Sequence, residues 1–567
     1  MQKPKKRWKV DKSIPENVMH NLSGYLPVER QILYNRGHET REAAERYLNG
    51  TTPPDTDPSG MLGIDDAVDR IRRAIVKHEP IAIYGDYDVD GVTSTALLTE
   101  ILEALGADVE GYIPNRFDEG YGLNNEALKE LHEDGKRLII TVDCGIRSPE
   151  EVERANKLGL DIIISDHHRP GDELPAALAI VNPKQSDDNY PYKELAGVGL
   201  AYKLAHAVVG ENVSLIENSL DLVALGTVAD LAALEGENRT LVRSGLRHIR
   251  EPHRQGLRSL IGVTRLTASR ITARDIGFVL GPRLNAAGRL DTAYEALELL
   301  TAKNVQLAAM LAQRLEIHNR ERQQITKKVQ EHAEQQALAG DPDTHLLFAA
   351  DPSYNAGVVG LAASRLTERY YLPSIVAHQG EEFTRGSCRS IPEFHITEAL
   401  DECADLMKRH GGHAAAAGFT VKNENLPELI KKLKRLADEQ LTIKDLRPKI
   451  IADDELRLSD LNLDLLSFLD KLEPTGKGNR KARFVSRDLE VTTHKRVGKD
   501  GSHLRLTVKE PNESKYKYNA IAFRQGHWAE QMPPRIDLMY TFEKNYFQGR
   551  EYQQLNVVDL KPSGDED

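Results

Sequence analysis

The chain has 567 residues, 40% apolar and 29% charged, with 75 Lys and Arg against 87 Asp and Glu and a net charge of −12. This length and composition support a large core shared among several domains and exclude a disordered or collagen-like chain. The acidic balance excludes a generally basic, histone-like surface while leaving room for local basic patches. Only three cysteines occur, Cys144, Cys388 and Cys403. They are too few for a disulfide framework and point to a reduced, cytoplasmic setting. No apolar run reaches the ~18 residues of a membrane helix. The basic start MQKPKKRWKV leads into no apolar stretch, so neither a signal peptide nor a membrane contact is expected.

Residues 1–60 read as a basic tail, short helices around Glu29 to Leu48, and a Pro-rich loop, TTPPDTDPSG. From residue 61 the pattern changes. IAIYGDYDVDG is an apolar strand running into an acidic loop, and TSTALLTEILEAL is helical. RLIITVDCG and LDIIISDHH repeat the strand-and-polar-turn design, and LDLVALGTVADL is a helix ending in an acidic turn. Strands alternating with helices predict a parallel α/β sheet over 61–298, with polar sites outside the carboxyl ends of its strands. Residues 299–339 lack Gly and Pro and read as one long connecting helix, stopped at Gly340-Asp341-Pro342. A smaller α/β domain is predicted over 340–446. Residues 447–567 form a strand-rich tail holding about a third of the chain's aromatics. Its short alternating strands predict an OB-like β-barrel.

Four clusters sit at these strand and helix ends: Asp86, Asp88 and Asp90; Asp143; Asp166, His167 and His168; and Asp230. Six carboxylates in one cleft repel one another unless cations neutralise them. Carboxylate mixed with imidazole suits Mn²⁺, Mg²⁺ or Fe rather than a thiolate zinc site. An aspartate bridging two ions between separate ligand sets is what a two-metal phosphoester hydrolase needs. Each piece alone has a plain alternative: an Asp-x-Asp turn, a surface His pair, a helix N-cap. Their joint occurrence at successive element ends favours the metal site. Cys144, beside Asp143, has no partner base in the sequence and reads as a small buried residue rather than a nucleophile.

GDYDVDG, TVDCG, SDHH and GTVADL resemble the four motifs of the DHH phosphoesterase superfamily. GPRLNAAGRLDTA, RGSCRS, GGHAAAAGF and LEPTGKGN are similar to further segments of its RecJ branch of single-stranded-DNA-specific 5′→3′ exonucleases. The resemblance runs from about residue 60 to the C-terminus. It implies a DHH catalytic domain, a DHHA1-type substrate domain over 340–446 and an OB-like nucleic-acid-binding domain. It also implies two divalent ions, Mn²⁺ or Mg²⁺. Asp88 would bind one and Asp90 the other, with Asp143 bridging; His167 and Asp230 would join Asp90, and His168 would face the scissile phosphate. Asp86 and Asp166 would be supporting groups. Tyr84 stands where other branches carry a further His, which implies more water at one metal site. Arg116, Arg289, Ser387, Arg389, His413 and Gly412 would contact phosphate or strand, as would Arg385, with Arg283 less securely placed. Of Tyr516, Tyr518, Phe523, Trp528, Tyr546 and Phe547 in the barrel, about a third would reach DNA, the remainder being core.

The function so implied is degradation of single-stranded DNA to mononucleotides in recombination and repair, beside a single-strand-binding protein and a RecQ-type helicase. Two other readings stay open from the residues. One is a DHH phosphodiesterase on short oligonucleotides or cyclic dinucleotides, which needs no barrel. The other is a catalytically dead scaffold, which would have lost ligands.

Overall fold

The computed structural model describes residues 4–53, 55–115, 119, 122–290, 292–340, 343–513, 515–547 and 550–565. The chain divides into two compact units. One is formed by Lys9–Leu315 with Ile451–Glu566, the other by Met1–Trp8 with Glu316–Ile450.

In the larger unit, five short strands form a parallel sheet: β1 (Ile81–Tyr84), β2 (Val109–Tyr112), β3 (Leu138–Val142), β4 (Asp161–Ser165) and β5 (Ala179–Val181). Their order is β2-β1-β3-β4-β5, so the chain reverses direction across the sheet at β1. Strands β1, β3 and β4 are continuous apolar runs because both faces are covered. Helix Val89–Ala104, buried nearly all round, packs with helices Gly197–Val209 and Leu220–Ala229 on one face. Helices Asn125–Glu133 and Pro149–Leu158 cover the other.

The predicted long helix runs over Val305–Leu338 rather than from residue 299. Residues Tyr294–Thr301 form a separate helix, and Asn304 starts the next by accepting a bond from the Leu307 amide at 2.9 Å.

The smaller unit holds β6 (Leu347–Asp351), β7 (Ser374–Gln379), β8 (Phe383–Arg389), β9 (Met407–His413) and β10 (Ala416–Lys422), in the order β9-β10-β8-β7-β6. The Gly-rich GGHAAAAGF is therefore a β-hairpin. Gly412 sits at φ 152°, where a Cβ would lie 2.4 Å from the Ala416 carbonyl oxygen, so only glycine fits.

The barrel belongs to the larger unit. It comprises β11 (Asp454–Glu455), β12 (Phe484–Val497), β13 (His503–Lys509), β14 (Lys517–Ala522), β15 (Arg535–Phe547) and β16 (Arg550–Pro562). Pairing of β12 with β15 closes it. Its core extends into the N-terminal segment: Val18, Leu22, Ile32, Leu33 and Leu48 share one apolar cluster with Phe484, Leu506 and Tyr540. Residues 9–50, expected as tail and loose helices, are thus part of the barrel's packing. A buried ion pair fastens them. Asp453, fully buried, accepts from Arg36 Nη1 at 2.6 Å, lies 3.3 Å from Arg480 Nη2, and takes the Arg483 amide at 3.0 Å. Burial alone would raise the Asp453 carboxyl; the two guanidiniums outweigh it and hold it below the usual range.

Asp453→Ala leaves Arg36 buried without its carboxylate. It should lower unfolding free energy by about 3–5 kcal/mol in chemical denaturation. A loss under about 1 kcal/mol would show that the pair does not fasten the N-terminal helices.

Candidate metal centre

Every strand of the catalytic sheet that carries a motif delivers it at its carboxyl end. Beyond Tyr84, a turn and the start of helix Val89–Ala104 present Asp86, Asp88 and Asp90. Asp88 is the N-cap, its Oδ1 accepting the Asp90 amide at 2.8 Å and the Gly91 amide at 3.2 Å. Asp90 is fully buried and accepts the Gly197 and Val198 amides at 2.7 and 2.8 Å, the N-terminus of another helix. Asp143 follows β3 with a left-handed φ of 63°. Such strain in a non-glycine residue is held by its surroundings and collects at functional sites. Asp166 accepts the Ile146 amide at 3.0 Å and pairs with His168 Nδ1 at 2.7 Å, orienting that ring. Asp230 ends helix Leu220–Ala229.

Three sets of ligating atoms each lie within 4.8 Å of one another: Asp86, Asp88 and Asp143; Asp143, His167 and His168; Asp90, His167 and Asp230. A cavity of about 360 Å³ opens on them, lined also by Asn285 and Arg289. Asp86, read from sequence as a support, falls in the same set of ligating atoms as Asp88 and Asp143. Tyr84 turns away into the apolar core; its hydroxyl donates to the Gly122 carbonyl at 3.2 Å and its ring stacks on Tyr112. Cys144 is fully buried.

Burial, then the neighbouring carboxylates, pushes Asp90 and Asp143 well above the ordinary carboxylate range. The same causes, with Asp88 the main neighbour, put Asp230 at about 7. Burial and then His168 push His167 down to about 3, so its ring is neutral. His168 moves the other way: burial opposes its charge, but Asp166 and the surrounding carboxylates outweigh it. His167 Nε2 and Asp143 Oδ1 are buried 3.0 Å apart with no hydrogen-bond partner among the described residues. Orphaned acceptors facing one another, oxygen-rich with a neutral imidazole, fit a divalent cation such as Mn²⁺ or Mg²⁺.

Sequence reasoning passed over the residues that keep this space open. A Cβ on Gly197 would come within 2.7 Å of Asp143 Cβ, and one on Gly226 within 2.8 Å of Asp90 Oδ1. Asn285 accepts the Val89 amide at 3.2 Å, and Gly288 abuts the Tyr87 carbonyl, so the NAAGR segment is the floor of the acidic loop. Its clue is the spacing of Asn285 and Gly288, three positions and so about one helical turn apart.

Of the expected phosphate contacts, Arg289 lines the metal cavity and Arg283 donates to the Val279 carbonyl at 2.7 Å. Arg116 lies outside the described residues. In the smaller unit, Arg389 donates to Ser364 Oγ at 3.1 Å and Ser387 Oγ at 3.2 Å. A Cβ on Gly360, in the first turn of helix Val359–Tyr370, would lie 2.9 Å from Ser387 Oγ and 3.0 Å from Arg389 Nη2. Arg385 and His413 are exposed. In the barrel, Phe523 and Tyr546 are exposed, while Tyr516, Tyr518 and Trp528 pack on the core. Tyr552, also exposed, was missed. The Phe547 side chain lies outside the described residues.

A parallel sheet with carboxylates and paired histidines at its carboxyl edge, joined to a second α/β unit and a closed barrel, defines a metal-dependent phosphoesterase of the DHH class. The DHH family N-terminal domain profile matches residues 80–227, the DHHA1 domain 343–439 and the RecJ OB domain 452–559. Single-stranded-DNA-specific exonuclease RecJ of Bacillus subtilis is 39% identical over 99% of this chain and 71% of its own length. The protein of the same description from Dickeya dadantii is 36% identical over 95% of this chain and 97% of its own. The crystal structure of RecJ in complex with Mn²⁺ from Thermus thermophilus superposes with a TM-score of 0.85 at 30% identity, covering 99% of this chain and 80% of that one. The chain belongs to the RecJ family of single-stranded-DNA-specific exonucleases. No helix among the described residues is long and apolar enough to cross a membrane.

Cation binding requires ionised carboxylates, so Mn²⁺ affinity should rise with pH through about 7, where Asp230 titrates, by at least about tenfold per pH unit below that value. In the metal-free protein the raised Asp230 contributes stability that is present below about pH 4 and lost as pH rises through about 7. Isothermal titration at pH 5.5 to 8 checks the first expectation; a flat affinity would contradict the site.

Proposed function

We propose that the protein is a 5′→3′ exonuclease that releases mononucleotides from single-stranded DNA by metal-dependent hydrolysis of the terminal phosphodiester. The observation that carries this reading is the donor cluster itself. Asp143 belongs to two ligand sets, one with Asp86 and Asp88 and one with His167 and the oriented His168, and His167 is shared in turn with Asp90 and Asp230.

Asp86, Asp88 and Asp143 would hold one ion and Asp90, His167 and Asp230 the other, with Asp143 between them. The bound ions supply a water of lowered pKa and neutralise charge developing on the phosphate. The chain's own part is positional. The helix amides on Asp88 and Asp90 fix those carboxylates before substrate arrives. Asp166 orients the His168 ring through Nδ1, and His168 would donate to a phosphate oxygen. The raised pKa of His168 favours the charged donor that this contact needs. Arg289, on the wall of the cavity, is assigned to the strand.

Direction requires a grip on one terminus. Arg389 supports that role: it is half-buried, braced by Ser364 of helix Val359–Tyr370 and by Ser387 of β8, and has no carboxylate partner within 4.0 Å among the described residues. With Ser387 and the exposed His413 beyond Gly412, it makes an anion pocket for a 5′-phosphate. A terminal monoester carries nearly two charges against one for an internal diester, so the pocket favours it. An enzyme limited to single strands depends on duplex opening, which fits work beside a RecQ-type helicase and a single-strand-binding protein in recombination and repair. Three reduced cysteines, all buried, support a cytoplasmic location.

Asp143→Ala should lower cleavage of a 5′-labelled single strand by more than about 100-fold, while binding in EDTA stays within about threefold. Activity within tenfold of wild type would remove Asp143 from the reaction. Arg389→Ala should slow digestion of 5′-phosphorylated strands more than of 5′-hydroxyl strands. Side-by-side assays of end-labelled substrates decide it: an equal loss on both removes the anchor, and digestion from the 3′ end removes the functional reading.

A further inference from the structure

Lys477 lies on the loop 473–479, which leads from helix Leu463–Lys471 into the barrel. That loop is fastened to the catalytic half with unusual care. Arg239, in helix Gly236–Arg250, is 2% exposed and has no carboxylate partner within 4.0 Å among the described residues. Its guanidinium donates instead to the carbonyls of Lys471, Leu472, Glu473 and Pro474 at 2.8–3.2 Å, and lies 4.0 Å over the Tyr47 ring. Burial pushes it down to about 10. Asn479 is buried beside it, bonded to Tyr47 and to the Leu472 and Pro474 carbonyls. The Lys477 carbonyl accepts the Leu234 amide at 2.8 Å. A Cβ on Gly476 would lie 2.7 Å from Leu234 Cδ1, and one on Gly478, at φ 77°, 2.9 Å from Glu235 Oε1.

The loop is therefore pressed onto the residues just past Asp230, and it presents Lys477 to a second cavity of about 360 Å³. Val228, Leu231 and Ala232 line this cavity, while Ala229 and Asp230 line the metal cavity, so one short segment walls both. The Lys477 side chain is exposed, with no carboxylate within 4.0 Å among the described residues. It is close enough to oppose positive charge on His167 and to favour ionised Asp230. Leu231 and Phe278, 64% and 75% exposed, line the same cavity, the latter on a π-helical turn. An exposed ammonium beside two exposed apolar side chains offers a phosphate a counter-charge and a base a surface.

We propose that Lys477 binds the backbone phosphate adjoining the one that is cleaved, and that Arg239 is the positioning residue that sets its loop. This rests on the single-strand exonuclease reading above. The barrel half thereby contributes a strand contact at the edge of the metal centre.

The test uses the full chain and a 5′-phosphorylated oligothymidylate. Fluorescence anisotropy in EDTA from about 50 to 300 mM salt reads the number of phosphate contacts. Lys477→Ala should reduce the log–log salt slope by about 0.7, the share of one single-strand phosphate, and Lys477→Arg should keep it. With Mn²⁺, Lys477→Ala should lower kcat/KM about tenfold without a change in Tm, the loss of one charged hydrogen bond. Arg239→Lys should give the same loss, with none further when combined with Lys477→Ala. If Arg239→Lys fails to fold, Gly478→Ala displaces the same loop and takes its place with the same expectation. An unchanged slope in Lys477→Ala overturns the phosphate contact. Additive losses in the double variant overturn the positioning role. A wild-type enzyme that leaves the single strand intact would overturn the exonuclease reading instead.

Discussion

Mutual repulsion among buried carboxylates is the constraint on which this structure turns. Two unit charges about 4 Å apart cost roughly 4 kcal/mol at the dielectric of a protein surface, and more where water is excluded. The fold answers part of that cost with fixed dipoles. Backbone amides at two helix starts serve Asp88 and Asp90, and an amide with a histidine serves Asp166. Asp143 and Asp230 are left under-compensated, and there the arrangement calls for cations. The glycines at 197, 226 and 288 follow from the same constraint, because any side chain there would push the carboxylates or their loop out of range.

The strands and ligand motifs were legible because they combine two local signals, an apolar run and an abrupt cluster of charge at its end. The barrel was legible from alternation and aromatics. What supports the site was not, because its cause is contact between residues far apart in sequence. Nothing near Arg239 announces that its partners are four carbonyls more than 230 positions on. Asn285 reads as an ordinary helical residue until the Val89 amide is seen bonded to it. The start of the long helix was misplaced for a local reason: an Asn cap outranks the absence of Gly and Pro. The N-terminal helices looked detached because the apolar face they share with the barrel is split between the two ends of the chain.

That split also changes the status of the barrel. A binding module on a tether could be removed without disturbing chemistry. Here the barrel, the N-terminal helices and the catalytic sheet form one compact unit, tied by Asp453 and by the Arg239 clasp. Residues 316–450, which carry Arg389, form the separate body. Domain names taken from sequence order therefore cut across the unit that folds together.

The Arg239 clasp has a consequence for how the protein is made. Its guanidinium is synthesised 232 residues before the Lys471 carbonyl it holds, and Arg36 precedes Asp453 by 417. At about 5–20 residues per second, Arg239 waits roughly 10–50 s on the ribosome for its partners. Throughout that interval the acidic motifs up to Asp230 are already outside or emerging, while the loop that Arg239 holds does not yet exist. A nascent chain can thus carry the full set of charged donors before the loop that bears Lys477 is docked beside them, and closure of the unit falls near the end of translation.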